Sequence, residues 1–246
     1  MAEAKLVVVT GAAGGIGVAV CQRLAEDGYR VAALDLNEKG LAELKGKIGA
    51  ALLPFTVDQT KESEVKDAVA RIEAEAGPID ALANVTGWVG STRFDQESAD
   101  YWLKVVNINY MALLYVTHPI LARMIGRKRG RMVFVASDAG RVGTGGQAVY
   151  AGTKAAVIAF AKSIARENAR HNITVNCISP GPTETPLYLH EQAANPDFTE
   201  RLLKAIPLRR PAKPADQAAA ISFLLSKDSD YITGQTISVS GGLTMV

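Results

Sequence analysis

At 246 residues, 48% of them apolar and 21% charged, the chain has the make-up of a soluble globular protein with room for one large α/β core, which excludes the disordered and membrane classes. The formal charge of +2 and the lone basic triplet Arg127-Lys128-Arg129 leave no electrostatic footprint for nucleic acid, so no such partner is expected. The opening residues carry no charged-then-apolar leader and no apolar run approaches the roughly 18 residues of a membrane span, so a cytoplasmic location without membrane contact is expected.

Leu6-Val7-Val8-Val9 is an uninterrupted, largely β-branched run, the pattern of a strand buried on both faces in a parallel sheet. It leads into Thr10-Gly11-Ala12-Ala13-Gly14-Gly15-Ile16-Gly17, after which Val20 and Leu24 keep helical spacing with Ile16. Strand, glycine turn and helix in that order let the backbone approach a pyrophosphate, with free N–H groups at the helix start to meet its charge. The spacing Gly11-x-x-x-Gly15-x-Gly17 departs from the G-x-G-x-x-G fingerprint, and a tight turn alone is the competing reading. The next strand, Arg30 to Asp35, ends on a carboxylate about 20 positions beyond the glycines. There it can accept hydrogen bonds from an adenosine ribose and repel a 2′-phosphate. No arginine or lysine stands at Asn37 or at Gly14-Gly15, so NAD is expected in preference to NADP. The competing role for Asp35 is to cap the following helix.

Alternation continues with a strand over 52–57 ending at Asp58, a helix over 63–76 with Val65, Ala68, Val69 and Ile72 on one face, and a strand over 80–83 leading into Asn84-Val85-Thr86-Gly87. A single long helix is expected over 98–125, with Asn107 and Asn109 among apolar neighbours. An unpaired buried amide costs about 1–3 kcal/mol, so both need partners. One of the two is expected to face the cleft. Cys21 and Cys177 fall in a helix and a buried strand and read as reduced core residues.

Val133-Phe134-Val135-Ala136-Ser137 ends a strand, a Gly-rich turn follows, and Tyr150-Ala151-Gly152-Thr153-Lys154 opens a long apolar-periodic helix. Residues four apart share a helix face, so Tyr150 and Lys154 are expected to present their polar tips to one cleft. A nearby ammonium lowers a tyrosine pKa from its usual value of about 10, which makes the pair a general acid or base. The Ser137 hydroxyl can then hold a substrate oxygen, and an ordinary helix start is the competing reading. Beyond a strand over 173–178, the stretch 185–211 lacks clean periodicity until 198–206, and its length suits a lid over a ligand. A helix over 215–225 and a strand over 236–239 complete a doubly wound parallel sheet with helices on both faces, a single Rossmann-type domain over 1–246. His118, His171 and His190 are scattered, and no metal is expected.

With Thr10-Gly11-x-x-x-Gly15-Ile16-Gly17, Ser137 and Tyr150-x-x-x-Lys154 in one chain, the sequence resembles the short-chain dehydrogenase/reductase family over its whole length. The resemblance implies four catalytic residues, Asn109, Ser137, Tyr150 and Lys154. In that family the serine orients the substrate oxygen, the tyrosine transfers the proton, and the lysine holds the nicotinamide ribose and lowers the tyrosine pKa. The asparagine, which maps to Asn109 by its position after Trp102, supports a proton-relay water. The resemblance further implies cofactor contacts at Gly11, Gly15, Ile16, Gly17, Asp35, Leu36, Asp58 near the adenine ring, Asn84, Gly87, Pro180, Gly181, Thr183 and Thr185, beside Tyr150 and Lys154. The family's Asn-Asn-Ala-Gly motif reads Asn84-Val85-Thr86-Gly87 here, which leaves the contacts of Val85 and Thr86 open.

At finer grain the stretches Ser137 to Gly143, Ala169 to His171, Pro182 to Thr185 and Ser238 to Met245 are similar to the branch containing 2-hydroxycyclohexanecarboxyl-CoA dehydrogenase. The function expected on this basis is NAD-dependent interconversion of a bulky cyclic or aryl secondary alcohol, or of a hydroxyacyl-CoA, with its ketone. The alternatives are an NADPH-linked 3-oxoacyl-acyl-carrier-protein reductase and a catalytically silent NAD-binding regulatory protein. Trp88, Leu187, Tyr188, Leu189 and Phe198 are expected to line the cleft, with Arg141, Arg209 and Arg210 as cations at its mouth for coenzyme A. The family implies a homotetramer or a homodimer.

Overall fold

In the computed structural model, which describes residues 4–194 and 196–246, strand and helix alternate from end to end. The strands are β1 (Leu6–Thr10), β2 (Arg30–Asp35), β3 (Leu52–Thr56), β4 (Ile79–Asn84), β5 (Gly130–Val135), β6 (Ile173–Pro180) and β7 (Thr236–Val239). The helices are α1 (Gly15–Glu26), α2 (Glu38–Ile48), α3 (Glu62–Ala76), α4 (Ala99–Val106), α5 (Ala112–Arg127), α6 (Ala139–Val142), α7 (Ala148–Asn168), α8 (Pro186–Ala194), α9 (Pro196–Ala205) and α10 (Pro214–Leu225). All seven strands run parallel in the order β3-β2-β1-β4-β5-β6-β7.

The sheet separates two cores, and β1 shows how its sequence serves both. Leu6 and Val8 join the core beneath α3, α5 and α7, while Val7 and Val9 join the one beneath α1, α2 and α10. A strand covered on both faces has no solvent-facing position, so it reads as an unbroken apolar run rather than as an alternation. The strand order turns back between β1 and β4, whose last residues, Thr10 and Asn84, pair side by side. A crevice opens at such a reversal beyond the carboxyl ends of the strands, the place where ligands of this architecture bind.

Two expectations about elements change. The single helix over 98–125 is interrupted by a π-helical turn, Asn107–Met111, between α4 and α5. The side-chain amide of Asn109 donates to the Val105 carbonyl (2.9 Å), a bond absent from a regular α-helix. The irregular stretch over 185–211 contains two helices, α8 and α9, each opening on a proline, which suits the first helical turn because its missing N–H has no partner there anyway. The side chains of Leu187 and Phe198, expected to line the cleft, lie outside the described residues.

At the opposite, amino-terminal end of the sheet a cavity of about 640 Å³ is bordered by Tyr29, Asp80, Arg129, Arg131 and Asp230. Its two arginines are ion-paired with Asp80 and Asp230, so this end neutralises its own charge.

Candidate functional site

The glycine turn after β1 is built for close approach. Gly11 adopts φ +61°, a left-handed conformation that favours glycine, and a Cβ on Gly17 would fall 2.0 Å from the Gly11 carbonyl oxygen. A Cβ on Gly15 would fall 2.7 Å from Thr185 Cγ2, so the start of the 185–211 segment rests directly on the turn. Helix α1 begins after Gly14 with no side-chain cap and no acidic residue in its first turn, leaving its positive end uncompensated.

The neighbouring turn, 84–87, is fixed to the first by Thr10, which is fully buried. The Thr10 hydroxyl oxygen accepts from the N–H groups of Val85 (3.1 Å) and Thr86 (3.3 Å). The Thr86 hydroxyl donates to Oε1 of the buried Gln59 (2.6 Å). These contacts answer what the divergent Val85-Thr86 pair does, and neither Thr10 nor Gln59 stood among the expected site residues. Among the described residues the buried side-chain amide of Asn84 has no partner for its Nδ2.

At the end of β2 the Asp35 carboxylate accepts from the backbone N–H of Ala13 (2.9 Å) and of Asn37 (2.9 Å), tying the glycine turn to the β2–α2 connection. The cap of α2 is Asn37, which accepts from Gly40, so the competing role for Asp35 as that cap is filled by another residue. Leu36 beside it is 68% exposed and places no cation there. Asp58 is held below the usual carboxylate range, first by the hydroxyl of Thr60 (2.6 Å) and less by Lys61. An uncapped helix end, a glycine cradle, a carboxylate at the end of β2 and an orphaned amide at the end of β4 fit a dinucleotide laid across the carboxyl edge of the sheet.

The proton-transfer candidates gather on the other side of the crevice. Ser137 follows β5, and its hydroxyl oxygen accepts from the Ala139 N–H (3.2 Å). Tyr150 lies in the first turn of α7, where burial pushes its phenol up and a hydrogen bond with the Ser137 side chain opposes that rise. Lys154 is buried, donates to the Val135 carbonyl (2.9 Å) and stands 5.7 Å from the centre of the Tyr150 ring. Burial lowers its own ammonium to about 8. The ammonium is thus anchored to the end of β5, and the hydrogen bond that opposes the rise in the tyrosine comes from Ser137.

Of the two asparagines of the long helix, Asn109 is the buried one and Asn107 is exposed. Asn109 accepts from the Trp88 N–H (3.1 Å) and donates to the Trp88 carbonyl (2.7 Å). A Cβ on Gly87 would lie 3.1 Å from Lys154 Nζ and 3.2 Å from Asn109 Oδ1, so the 84–87 turn, α7 and the π-helical turn meet at one point.

The 180–185 turn completes the edge. Pro180 accepts from the Asp138 N–H, Gly181 donates to the Val239 carbonyl (3.3 Å), and a Cβ on Gly181 would sit 2.7 Å from Ser240 Cβ. Thr183 donates its hydroxyl to the Gly181 carbonyl (3.0 Å) and accepts from Gln217 (3.2 Å). Thr185, against Gly15, opens α8 and accepts from the Tyr188 N–H (3.3 Å). The Tyr188 hydroxyl is buried without a partner among the described residues, whereas Leu189 is exposed.

The three expected cleft-mouth cations are employed elsewhere. Arg141 donates to the Thr236 carbonyl (3.2 Å) and to Ser238 (2.9 Å), whose hydroxyl in turn donates to Asp138. Arg209 donates to the Lys204 carbonyl, and Arg210 pairs with Asp216 (2.7 Å). Among the described residues no group of histidines, cysteines and carboxylates suits a metal ion. Cys21 and Cys177 are free and buried, with burial pushing both thiols up to about 12.

Comparison with known proteins agrees with this geometry. A family profile described as enoyl-(acyl carrier protein) reductase matches residues 11–244. The acetoacetyl-CoA reductase of Acinetobacter sp. (strain RA3849) is 36% identical over 250 residues, covering 100% of both chains. The 3-oxoacyl-(acyl-carrier-protein) reductase FabG of Escherichia coli (strain K12) is 32% identical over 244 residues, covering 99% of each. Among solved structures, an NAD+-bound xylitol dehydrogenase superposes with a TM-score of 0.93 at 29% identity, covering 97% of this chain and 98% of that one. A variant of actinorhodin polyketide ketoreductase with NADPH does so with a TM-score of 0.93 at 31% identity, covering 99% of both. A parallel seven-stranded sheet, a dinucleotide edge and a Ser-Tyr-Lys-Asn cluster, matched along the whole length by such relatives, make this chain a member of the short-chain dehydrogenase/reductase family, an oxidoreductase that works with a nicotinamide dinucleotide.

Proposed function

We propose that the protein interconverts 3-oxoacyl and 3-hydroxyacyl thioesters, coenzyme A thioesters foremost, using NAD(H). The observation that carries the substrate class is the full-length similarity to reductases named for acetoacetyl-CoA and for 3-oxoacyl carrier protein. The cofactor choice rests on Asp35, whose carboxylate ends β2 with exposed Leu36 beside it and would face a 2′-phosphate with like charge. Solved neighbours hold NAD+, NADP or NADPH, so the choice turns on this residue rather than on the family.

In the direction of reduction the bound nicotinamide supplies the hydride, and the chain's residues handle the oxygen and the proton. Ser137 holds the carbonyl oxygen, Tyr150 donates the proton to it, and Lys154 holds the cofactor ribose. Asn109 fixes the π-helical turn and the Trp88 backbone around them. The segment 185–211 acts as the lid, its base resting on Gly15 through Thr185.

A second reading, an NAD-linked dehydrogenase of ring-bearing secondary alcohols, is favoured by the half-buried Trp88, packed edge-on against Tyr101 (5.8 Å between centres) next to Asn109. Measuring NADH oxidation with acetoacetyl-CoA and NAD+ reduction with 1-phenylethanol and cyclohexanol separates the two. The thioester reading expects the CoA substrate to have the higher kcat/KM, and Tyr150→Phe to bind cofactor while losing nearly all turnover. Preference for the ring alcohols would replace it.

We further infer a soluble cytoplasmic enzyme. The two helical stretches long and apolar enough to cross a membrane, Ala99–Arg127 and Ala148–His171, contribute Leu113, Val116, Val157 and Ile164 to the core against the sheet. A homotetramer or homodimer is proposed from the edge strand β7, where Ile237 and Phe223 of α10 are exposed. Light scattering behind size exclusion reads this directly.

A further inference from the structure

The loop over 87–92, which continues from the 84–87 turn, is pinned at several points. Trp88 is bonded at both its N–H and its carbonyl by Asn109. The Gly90 carbonyl accepts from the Tyr101 hydroxyl (3.2 Å), and the Thr92 N–H donates to the Gly146 carbonyl (2.9 Å), just ahead of Tyr150. On this fixed loop the Trp88 ring meets Tyr101 edge-on at an interplanar angle of 64°, and Lys104 Nζ sits 4.1 Å from the ring centre.

Lys104 is exposed on α4 and forms no ion pair among the described residues. The cations of the lid side differ in this respect. Lys204 pairs with Glu200, Arg210 pairs with Asp216, and Arg141 is turned into β7. An ammonium over an indole face is attracted by the ring quadrupole and keeps its charge. Trp88 thus holds an unneutralised positive charge at one indole's width from a backbone that Asn109 clamps beside Lys154.

Resting on the thioester reading above, we propose that Trp88 and Lys104 form the subsite for the phosphorylated pantetheine arm of the substrate. The uncharged pantetheine chain packs against the half-buried Trp88 indole, and a phosphate beyond it meets the Lys104 ammonium. A phosphorylated pantetheine arm occurs both in coenzyme A and on carrier protein, and the phosphate nearest the pantetheine is the part they share.

The test compares kcat/KM for acetoacetyl-CoA, acetoacetyl-4′-phosphopantetheine and acetoacetyl-pantetheine, which has no phosphate, in wild type, Lys104→Ala and Lys104→Arg. An exposed charge pair changes affinity by about two- to fivefold, so in Lys104→Ala the ratio of the phosphorylated to the unphosphorylated thioester falls by that factor at low salt. Lys104→Arg restores the ratio, and raising the ionic strength shrinks the difference between wild type and Lys104→Ala because an exposed pair is screened. A response of the 4′-phosphopantetheine thioester equal to that of the CoA thioester identifies the shared phosphate. A response of the CoA thioester alone overturns the pantetheine-phosphate subsite, because the charge then meets the nucleotide phosphates instead. An identical ratio in wild type and Lys104→Ala, with all thioesters reduced, overturns the subsite and leaves the thioester reading standing. Failure of wild type to reduce any of the thioesters overturns both.

Discussion

Replacing Thr10 with valine tests how the two halves of the cofactor edge are joined. Valine keeps the shape of threonine but removes the oxygen that accepts from Val85 (3.1 Å) and Thr86 (3.3 Å). Each buried donor left without a partner costs about 1–3 kcal/mol. Both donors here are only partly buried and the second bond is long, so a total of about 2 kcal/mol is expected rather than the full sum. For a domain of this size 1 kcal/mol moves Tm by about 2–4 °C, which gives a fall of about 4–8 °C by circular dichroism. The loosened turn carries Asn84 and Gly87, so the Kd for dinucleotide, read by quenching of tryptophan fluorescence, should rise in step. Thr10→Ser keeps the acceptor and loses only a methyl group, so it should hold cofactor affinity close to wild type even though its Tm falls somewhat. A Thr10→Val protein with wild-type Tm and wild-type Kd would refute the idea that this hydroxyl joins β1 to the 84–87 turn.

Cofactor choice is expected to follow the end of β2. Asp35→Ser combined with Leu36→Arg should shift the ratio of kcat/KM for NADH over NADPH towards NADPH, and equal use of both by wild type would show that Asp35 does not discriminate. The buried Lys154 gives a pH signature in the cofactor-free protein. Its ammonium is lowered from an ordinary value of 10.5 to about 8, so between those limits the unfolded chain binds more protons than the folded one. Stability from this group is therefore least below pH 8 and rises as pH climbs towards 10.5. The urea midpoint of wild type should gain on that of Lys154→Met across this window, and parallel curves for the two proteins would mean that the ammonium is not desolvated.

Most of the fold was legible because parallel strands covered on both faces leave long apolar runs, and because Gly11, Gly15 and Gly17 stand where a Cβ would strike backbone or Thr185. The π-helical turn was not legible. Apolar spacing continues through Tyr110, Met111 and Leu113, and the two bonds that Asn109 and Trp88 exchange across the π-helical turn are a long-range contact that periodicity does not carry. Helix α8 was missed because Pro186–Ala194 mixes polar and apolar residues without a stripe. At the site, residue identities and helical spacing were legible, but depth and side-chain direction were not. Arg141 reads as a free surface cation until β7 is seen to receive it. Thr10, although inside the glycine motif, carries no sign of its role until β4 lies beside it.

Depth also sets the protonation of the tyrosine–lysine pair in the cofactor-free protein. Burial favours the neutral form of both groups, and it moves them in opposite directions, the phenol upward from 10.0 and the ammonium downward from 10.5 to about 8. The lysine thereby becomes the more acidic of the two, so on raising pH it gives up its proton before the tyrosine does. Tyr150 remains protonated at neutral pH, with the Ser137 hydroxyl as its hydrogen-bond partner. A tyrosine in that state is a neutral phenol with a proton to give to a carbonyl oxygen, the role that reduction asks of it.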